Sequence, residues 1–264
     1  MDEGILRVFQ GREIEASRNH IIGKRIYKYD TAGSTNDLAF LNALKGEKEG
    51  SVFWARAQTK GRGRLGRRWV SHKDKGLYFS VILRPDIQLK EAPKITLLGA
   101  LAITRALRKF SGYPFLIKWP NDLVIEDKKI GGILTEMDAE INKVKFIIIG
   151  IGLNTNLTQG ELPIKEAVSL KILLKKEINP ESLLSLCLKE LDGYYYQFQK
   201  EGFSGIIEET RNFSSLWGKQ VRVNGVDAGT AIDFDEEGAL VARQASGVRK
   251  HIFAGDVELL RSGS

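Results

Sequence analysis

Apolar positions along this chain follow two rhythms. Residues 21–29 (IIGKRIYKY) alternate apolar with basic residues, the period of two that marks a half-buried strand. Residues 34–45 (STNDLAFLNALK) change to helical spacing, with apolar side chains at Leu38, Leu41 and Leu44, Ser34 placed to open a helix, Asp37 three residues on and Gly46 to stop it. Short apolar runs at residues 51–57 and 76–84 predict two strands, and residues 95–110 a longer helix ended by Ser111, Gly112 and Pro114. Four strands follow at residues 116–119, 122–126, 130–137 and 143–151. Asn179 and Pro180 then open a helix that runs to residue 200 and stops at Gly202. From Leu216 onward short β runs are punctuated by Gly225, Gly229, Gly238, Gly247 and Gly255 at hairpin intervals. Such a tail buries little by itself and is expected to dock on the larger unit. The pattern is α+β: a mixed sheet flanked by helices over residues 1–213, and a small β-barrel domain over residues 214–264.

Composition narrows the class. At 264 residues and 42% hydrophobic, the chain can hold one large domain with a small appendage. Its longest apolar stretches, ITLLGALAI and FIIIGIGL, fall short of the roughly 20 residues that span a bilayer. The N-terminus has no basic segment followed by an apolar one and a small-residue cleavage site, so a cytoplasmic location is expected. Cys187 is the only cysteine, which excludes an internal disulfide and a cysteine-built zinc site; its helical apolar setting predicts a buried, inert thiol. His20, His72 and His251 are scattered, with no metal-ligand spacing.

Charge is concentrated in one place. The net charge is +7, and Lys60, Arg62, Arg64, Arg67 and Arg68 supply five cations within or beside GRGRLGRRW, residues 61–69. A nucleic-acid reader spreads its cations along a face, whereas these sit in one loop between two strands. Gly61, Gly63 and Gly66 can adopt positive φ without a Cβ penalty, which lets backbone N–H groups converge on an anion that the arginines grip, a phosphate being the natural guest. A solvated basic loop is the other reading these residues allow. Gly131, Gly132, Gly150 and Gly152 lie in neighbouring strands and suggest a ligand lying on the sheet.

Four segments stand in order: STND at Ser34, QTKGRGRLGRRW from Gln58, KWPNDL running on to KKIGGILTE, and GIGLN from Gly150. Together they resemble biotin protein ligases, over about residues 25–260. The resemblance implies the class II aminoacyl-tRNA-synthetase-like catalytic fold with an SH3-like C-terminal barrel, in the short form that lacks an N-terminal DNA-binding domain. It implies a two-step ligase reaction: biotin and ATP give biotinyl-5′-AMP and pyrophosphate, then a lysine of a biotin carboxyl carrier domain of acetyl-CoA or a related carboxylase displaces AMP. Neither DNA nor a membrane is an expected partner, and the family includes both monomers and homodimers.

Site residues follow from the same resemblance. Lys129, Arg62, Arg64 and Asp122 are the catalytic candidates, Lys129 reaching the carboxylate and α-phosphate and Asp122 serving Mg²⁺, which takes few carboxylates beside phosphate and water. Biotin falls to Ser34, Thr35, Asn36 and Gln58 around its ureido ring, Arg62, Gly63, Arg64 and Lys129 toward its carboxylate, Trp69 as an apolar wall, and Gly131, Gly132, Gly150 and Gly152 as space beneath. The nucleotide falls to Arg62, Arg64, Arg67, Lys118, Trp119, Asn121, Asp122, Lys129 and Asn154. From the residues alone, Ser34 reads equally as a helix cap, Lys129 and Asp122 as turn residues and Trp69 as core. Lipoate–protein ligases share the chemistry and are the nearest alternative, which the Arg-rich loop disfavours; a nucleic-acid-binding protein is a more distant one. The loop is expected to close over the acyl-adenylate and keep water from it.

Overall fold

The structure is a computed structural model that describes residues 5–10 and 21–260; His20 lies outside them. In chain order the strands are β1 (Ile5–Gln10), β2 (Arg25–Ala32), β3 (Val52–Gln58), β4 (Gly76–Leu83), β5 (Leu116–Lys118), β6 (Asp122–Ile125), β7 (Lys128–Glu140) and β8 (Lys143–Asn154). The helices are α1 (Thr35–Leu44), α2 (Ala92–Ser111), α3 (Leu170–Leu174), α4 (Pro180–Glu201) and α5 (Ser204–Arg211). The eight strands form one mixed sheet in the order β1-β2-β3-β4-β8-β7-β6-β5, with β2 and β3 parallel and every other pair antiparallel.

Alternation along β8 explains how the layers form. Ile147, Ile149, Ile151 and Leu153 enter the large core shared with α2 and α4, while Phe146 and Ile148 enter a second, smaller cluster beneath α1. Side chains two residues apart share a face, so Gly150 and Gly152 belong to the α1 face. Apolar residues hold one side of the sheet against helices, and the glycines open the other.

The expected elements are present with shifted ends: the strand expected over residues 21–29 runs from Arg25 to Ala32, and β5 and β6 each end a residue early. β7 and β8 reach 13 and 12 residues because they pair as one ladder out to a tight turn at Ile141 and Asn142, both at positive φ. α2 begins earlier than its apolar pattern suggests, with Pro93 in its first turn, and ends at Gly112 in the left-handed conformation. β1, α3 and α5 are additions to the pattern read from sequence; α5 is too short for a periodic signal, yet Ile206 and Ile207 bury completely.

The tail forms β9 (Gln220–Val223), β10 (Val226–Phe234), β11 (Leu240–Arg243), β12 (Arg249–Ile252) and β13 (Val257–Leu259). Their pairing is antiparallel in the order β12-β11-β10-β9-β13, with no ladder between β12 and β13, so the expected barrel is a five-stranded sheet in its hydrogen bonding. It docks as expected: Val221, Phe234 and Leu240 join the same core as α2, and the Trp119 indole donates to the Gly238 carbonyl at 3.0 Å. No helix among the described residues is long and apolar enough to cross a membrane. Cys187 is fully buried, and burial pushes its thiol well above the ordinary range, as an inert core cysteine requires.

Candidate active site

Where α1 meets the open face of the sheet, the loop after β3 folds over a cavity of about 310 Å³, within the range of small-molecule sites. Gly150 and Gly152 make room for protein as much as for ligand: a Cβ on Gly150 would fall on the Asn36 amide oxygen, and one on Gly152 would meet the Trp69 indole 2.7 Å away. Gly132 is different. A Cβ there would find nothing nearer than 3.5 Å, in ordinary contact with the Asp122 carboxylate and Lys129 Cε, so this cavity-lining position has room for a methyl group.

One wall is polar and uncharged. Ser34 starts α1 in an extended conformation; its carbonyl accepts from the Leu38 N–H while its hydroxyl makes no cap bond. The Thr35 N–H donates to Gln58 Oε1 at 2.8 Å, and Gln58 Nε2 donates to Ser71 Oγ at 2.9 Å. These bonds fix the orientation of Gln58. Trp69 lines the cavity, and its buried indole N–H has no acceptor, an arrangement that costs about 1–3 kcal/mol unless a partner arrives.

The opposite wall is charged. Lys129 Nζ lies 2.6 Å from Asp122 Oδ1 and 5.6 Å from the centre of the Trp69 ring. Arg62 donates through Nη2 to both oxygens of Glu136 at 2.7 Å, and through Nη1 to Asp37. Burial alone would lower the Arg62 guanidinium, but Glu136 and Asp37 outweigh it and hold the group above its ordinary value. Arg64 donates to Asn121 Oδ1 at 2.9 Å and to the Gly255 carbonyl at 3.2 Å, and Arg67 pairs with Asp256. Each of these four cations thus already has an acidic or carbonyl partner. The cationic wall is therefore paired within the protein itself.

The loop differs from expectation in its backbone. Of its three glycines only Gly66 has positive φ, with Leu65 beside it at 54°. Gly61 is needed for close approach, since a Cβ would stand 2.5 Å from the Trp69 carbonyl. The N–H groups of Gly63, Arg67 and Trp69 bond to carbonyls inside the loop, so these three do not face the cavity as free donors.

Most of the sequence-derived residues converge here: Ser34, Thr35, Asn36, Gln58, Arg62, Gly63, Arg64, Arg67, Trp69, Asn121, Asp122, Lys129, Gly132, Gly150, Gly152 and Asn154 all line the cavity. Three do not. Gly131 shares its face with Ile133, toward the helical layer, where a Cβ would collide with Leu153; its smallness serves sheet packing. Trp119 is buried core that anchors the C-terminal sheet. Lys118 stands opposite Asp122 on edge strand β5, one strand beyond the wall.

Sequence reasoning passed over Glu136, Asp256 and the wall formed by Pro163, Ile164 and Ala167. Glu136 could have been found, since it shares the parity of Gly132 within KKIGGILTE. Asp256 carries no such signal: only tertiary docking brings it to the loop. Among the described residues no three His, Cys, Asp or Glu side chains cluster as a metal site.

Residues 30–154 match the Biotin/lipoate A/B protein ligase family, and residues 217–260 match the Biotin protein ligase C terminal domain. The chain is 35% identical over 248 residues to the bifunctional ligase/repressor BirA of Bacillus subtilis, covering 92% of this chain and 76% of that protein. It is 31% identical over 238 residues to the biotin–[acetyl-CoA-carboxylase] ligase of Mycobacterium tuberculosis, covering 87% and 86% respectively. Among solved structures, the biotin protein ligase from Aquifex aeolicus in complex with biotin and ATP superposes with a TM-score of 0.75 at 30% identity, covering 90% of this chain and 99% of that one. Sequence and overall fold agree, and the chain belongs to the biotin protein ligase family.

Proposed function

We propose that the chain activates biotin with ATP as biotinyl-5′-AMP and transfers the biotinyl group to a lysine of a biotin carboxyl carrier domain of acetyl-CoA or a related carboxylase. The observation that carries this reading is the pairing, in one cavity, of an uncharged wall at Ser34, Thr35 and Gln58 with a cationic wall at Arg62, Arg64, Arg67 and Lys129. Biotin needs both: a neutral ureido ring to be hydrogen-bonded, and a carboxylate to be brought to a triphosphate. In the first step a biotin carboxylate oxygen attacks the α-phosphorus, forming the P–O bond as pyrophosphate leaves. In the second the lysine amine attacks the acyl carbonyl, the amide forms, AMP departs and the amine loses its proton.

Bringing two anions together is unfavourable unless fixed cations lie between them. Lys129 fills that role in this reading. Asp122 and the Trp69 ring hold its ammonium at the wall, where charge builds on the phosphoryl oxygens. Mg²⁺ belongs here as a companion of ATP: a single carboxylate, Asp122, beside phosphate and water satisfies its preference for few protein oxygens, and it would neutralise phosphate charge. Arg64 and Arg67 exchange Asn121 and Asp256 for the nucleotide phosphate.

The test is pyrophosphate release on mixing ATP, Mg²⁺ and biotin, with lipoate in a parallel reaction. Biotin-dependent release is expected. Release with lipoate and none with biotin would overturn the reading.

A further inference from the structure

Glu136 is held by a residue of the loop and by a residue of the polar wall, and it stands behind the cavity, in a neighbouring cleft. Its two carboxylate oxygens each accept from Arg62 Nη2 at 2.7 Å, and Oε2 also accepts from Asn36 Nδ2 at 2.7 Å. The Asn36 amide oxygen lies 2.6 Å from the buried Ser80 hydroxyl, which is 2.8 Å from Thr35 Oγ1. Thr35 bonds Gln58, Gln58 bonds Ser71, and Ser71 Oγ donates to the Trp69 carbonyl. The chain of bonds therefore starts at Arg62, passes beneath the polar wall and returns to the far end of the same loop. Cooperative polarisation is expected along such a chain.

We propose that Glu136 is a positioning residue for biotin activation, joining Arg62 of the loop to Asn36 of the ureido wall so that ordering the loop and ordering the pocket are a single event. The inference rests on the function proposed above. Three observations favour Glu136 over an ordinary surface ion pair. Both of its oxygens accept from Arg62 Nη2 at partial burial, a charge-assisted contact to an ionised donor. Its second partner, Asn36, is buried and fixed by the absence of a side chain at Gly150. Asp37, the other partner of Arg62, is more exposed and bonds through one oxygen.

The test compares wild type with Glu136→Gln and Asp37→Asn, measuring KM for biotin and for ATP, melting temperature, and protease cleavage in residues 61–69 with and without biotin. Gln cannot accept from Arg62 through both oxygens, and loss of a charge-assisted bond predicts a rise of roughly tenfold in the biotin KM. The ATP KM should change less than about threefold, and biotin should no longer protect the loop. Asp37→Asn should shift the biotin KM less than about threefold. If Glu136→Gln does not fold, Glu136→Asp, which keeps the charge and shortens the reach, is compared on the same readouts. An unchanged biotin KM with intact loop protection overturns the proposal, as does an equal rise in both KM values with a lowered melting temperature, the mark of a purely structural role. A wild type that shows no biotin binding would instead remove the functional reading itself.

Discussion

Gly150 and Asn36 compete for one volume: the space a Cβ would fill on β8 is taken by the amide oxygen of a residue in the first turn of α1. Gly132, on the neighbouring strand and paired in register with Gly152, has no such occupant. Two glycines in adjacent strands on one sheet face thus do different work.

Substituting them separates packing from catalysis. Gly150→Ala should displace Asn36, break its bond to Glu136 and destabilise the fold by about 1–3 kcal/mol, as overpacking does. Gly132→Ala should leave the melting temperature within a degree or two of wild type, and lose biotin binding because its methyl group points into the cavity. Thermal unfolding and biotin titration on the two variants check this; equal destabilisation would contradict the geometry.

Lys129→Ala should reduce biotin-dependent pyrophosphate release by about 10²–10³, the scale on which one fixed donor at a developing charge acts. Its pair with Asp122 is about a third exposed on the lysine side, so unfolding free energy should change by less than about 1 kcal/mol. A full rate in the variant would remove the lysine from the chemistry.

What the sequence revealed divides along physical lines. Periodicity located the elements, because burial of one face imposes it, and sheet parity was present in KKIGG and GIGLN without being used: odd and even positions on β7 face different layers, which is why Gly131 lies off the site and Gly132 on it. Charge counting found the cations of the loop but not Asp37, Glu136 and Asp256, which answer them from three separate stretches of the chain. Long-range pairing has no local signature. The loop backbone was misread for a related reason: glycine permits positive φ without requiring it, and Gly61 is instead demanded by the approach of the Trp69 carbonyl.

Asp256 ties the C-terminal sheet to the loop, its N–H fixed by Asn224 Oδ1 at 2.9 Å and its carboxylate on Arg67. Asp256→Asn should therefore speed protease cleavage of residues 61–69 in the ligand-free protein. With biotin and a non-hydrolysable ATP analogue bound, the two proteins should be cut at the same rate, because the phosphate then holds the arginine. Arg67 is largely exposed, so stability should fall by less than about 1 kcal/mol. Cleavage that is slow and equal in both ligand-free proteins would show that the clasp does not order the loop.

The wall formed by Pro163, Ile164 and Ala167 is reached through a short turn closed by Glu161, whose Oε2 accepts from the Thr158 N–H and hydroxyl, each at 2.8 Å, and whose Oε1 lies 2.9 Å from Lys75 Nζ. The Thr158 backbone donor first, then Lys75 and the Thr158 hydroxyl, lower this carboxyl to about 2. A depressed folded value means that the stabilisation is complete above the ordinary glutamate range, near ~4.3, and is lost as pH falls from there through about 2. Carboxyl-detected NMR titration should place the Glu161 midpoint far below that of exposed glutamates, and Lys75→Met should raise it only part of the way, because the backbone bond remains. A Glu161 midpoint at the ordinary value in wild type would mean that the turn is not closed in solution, and that this wall of the cavity has no anchor.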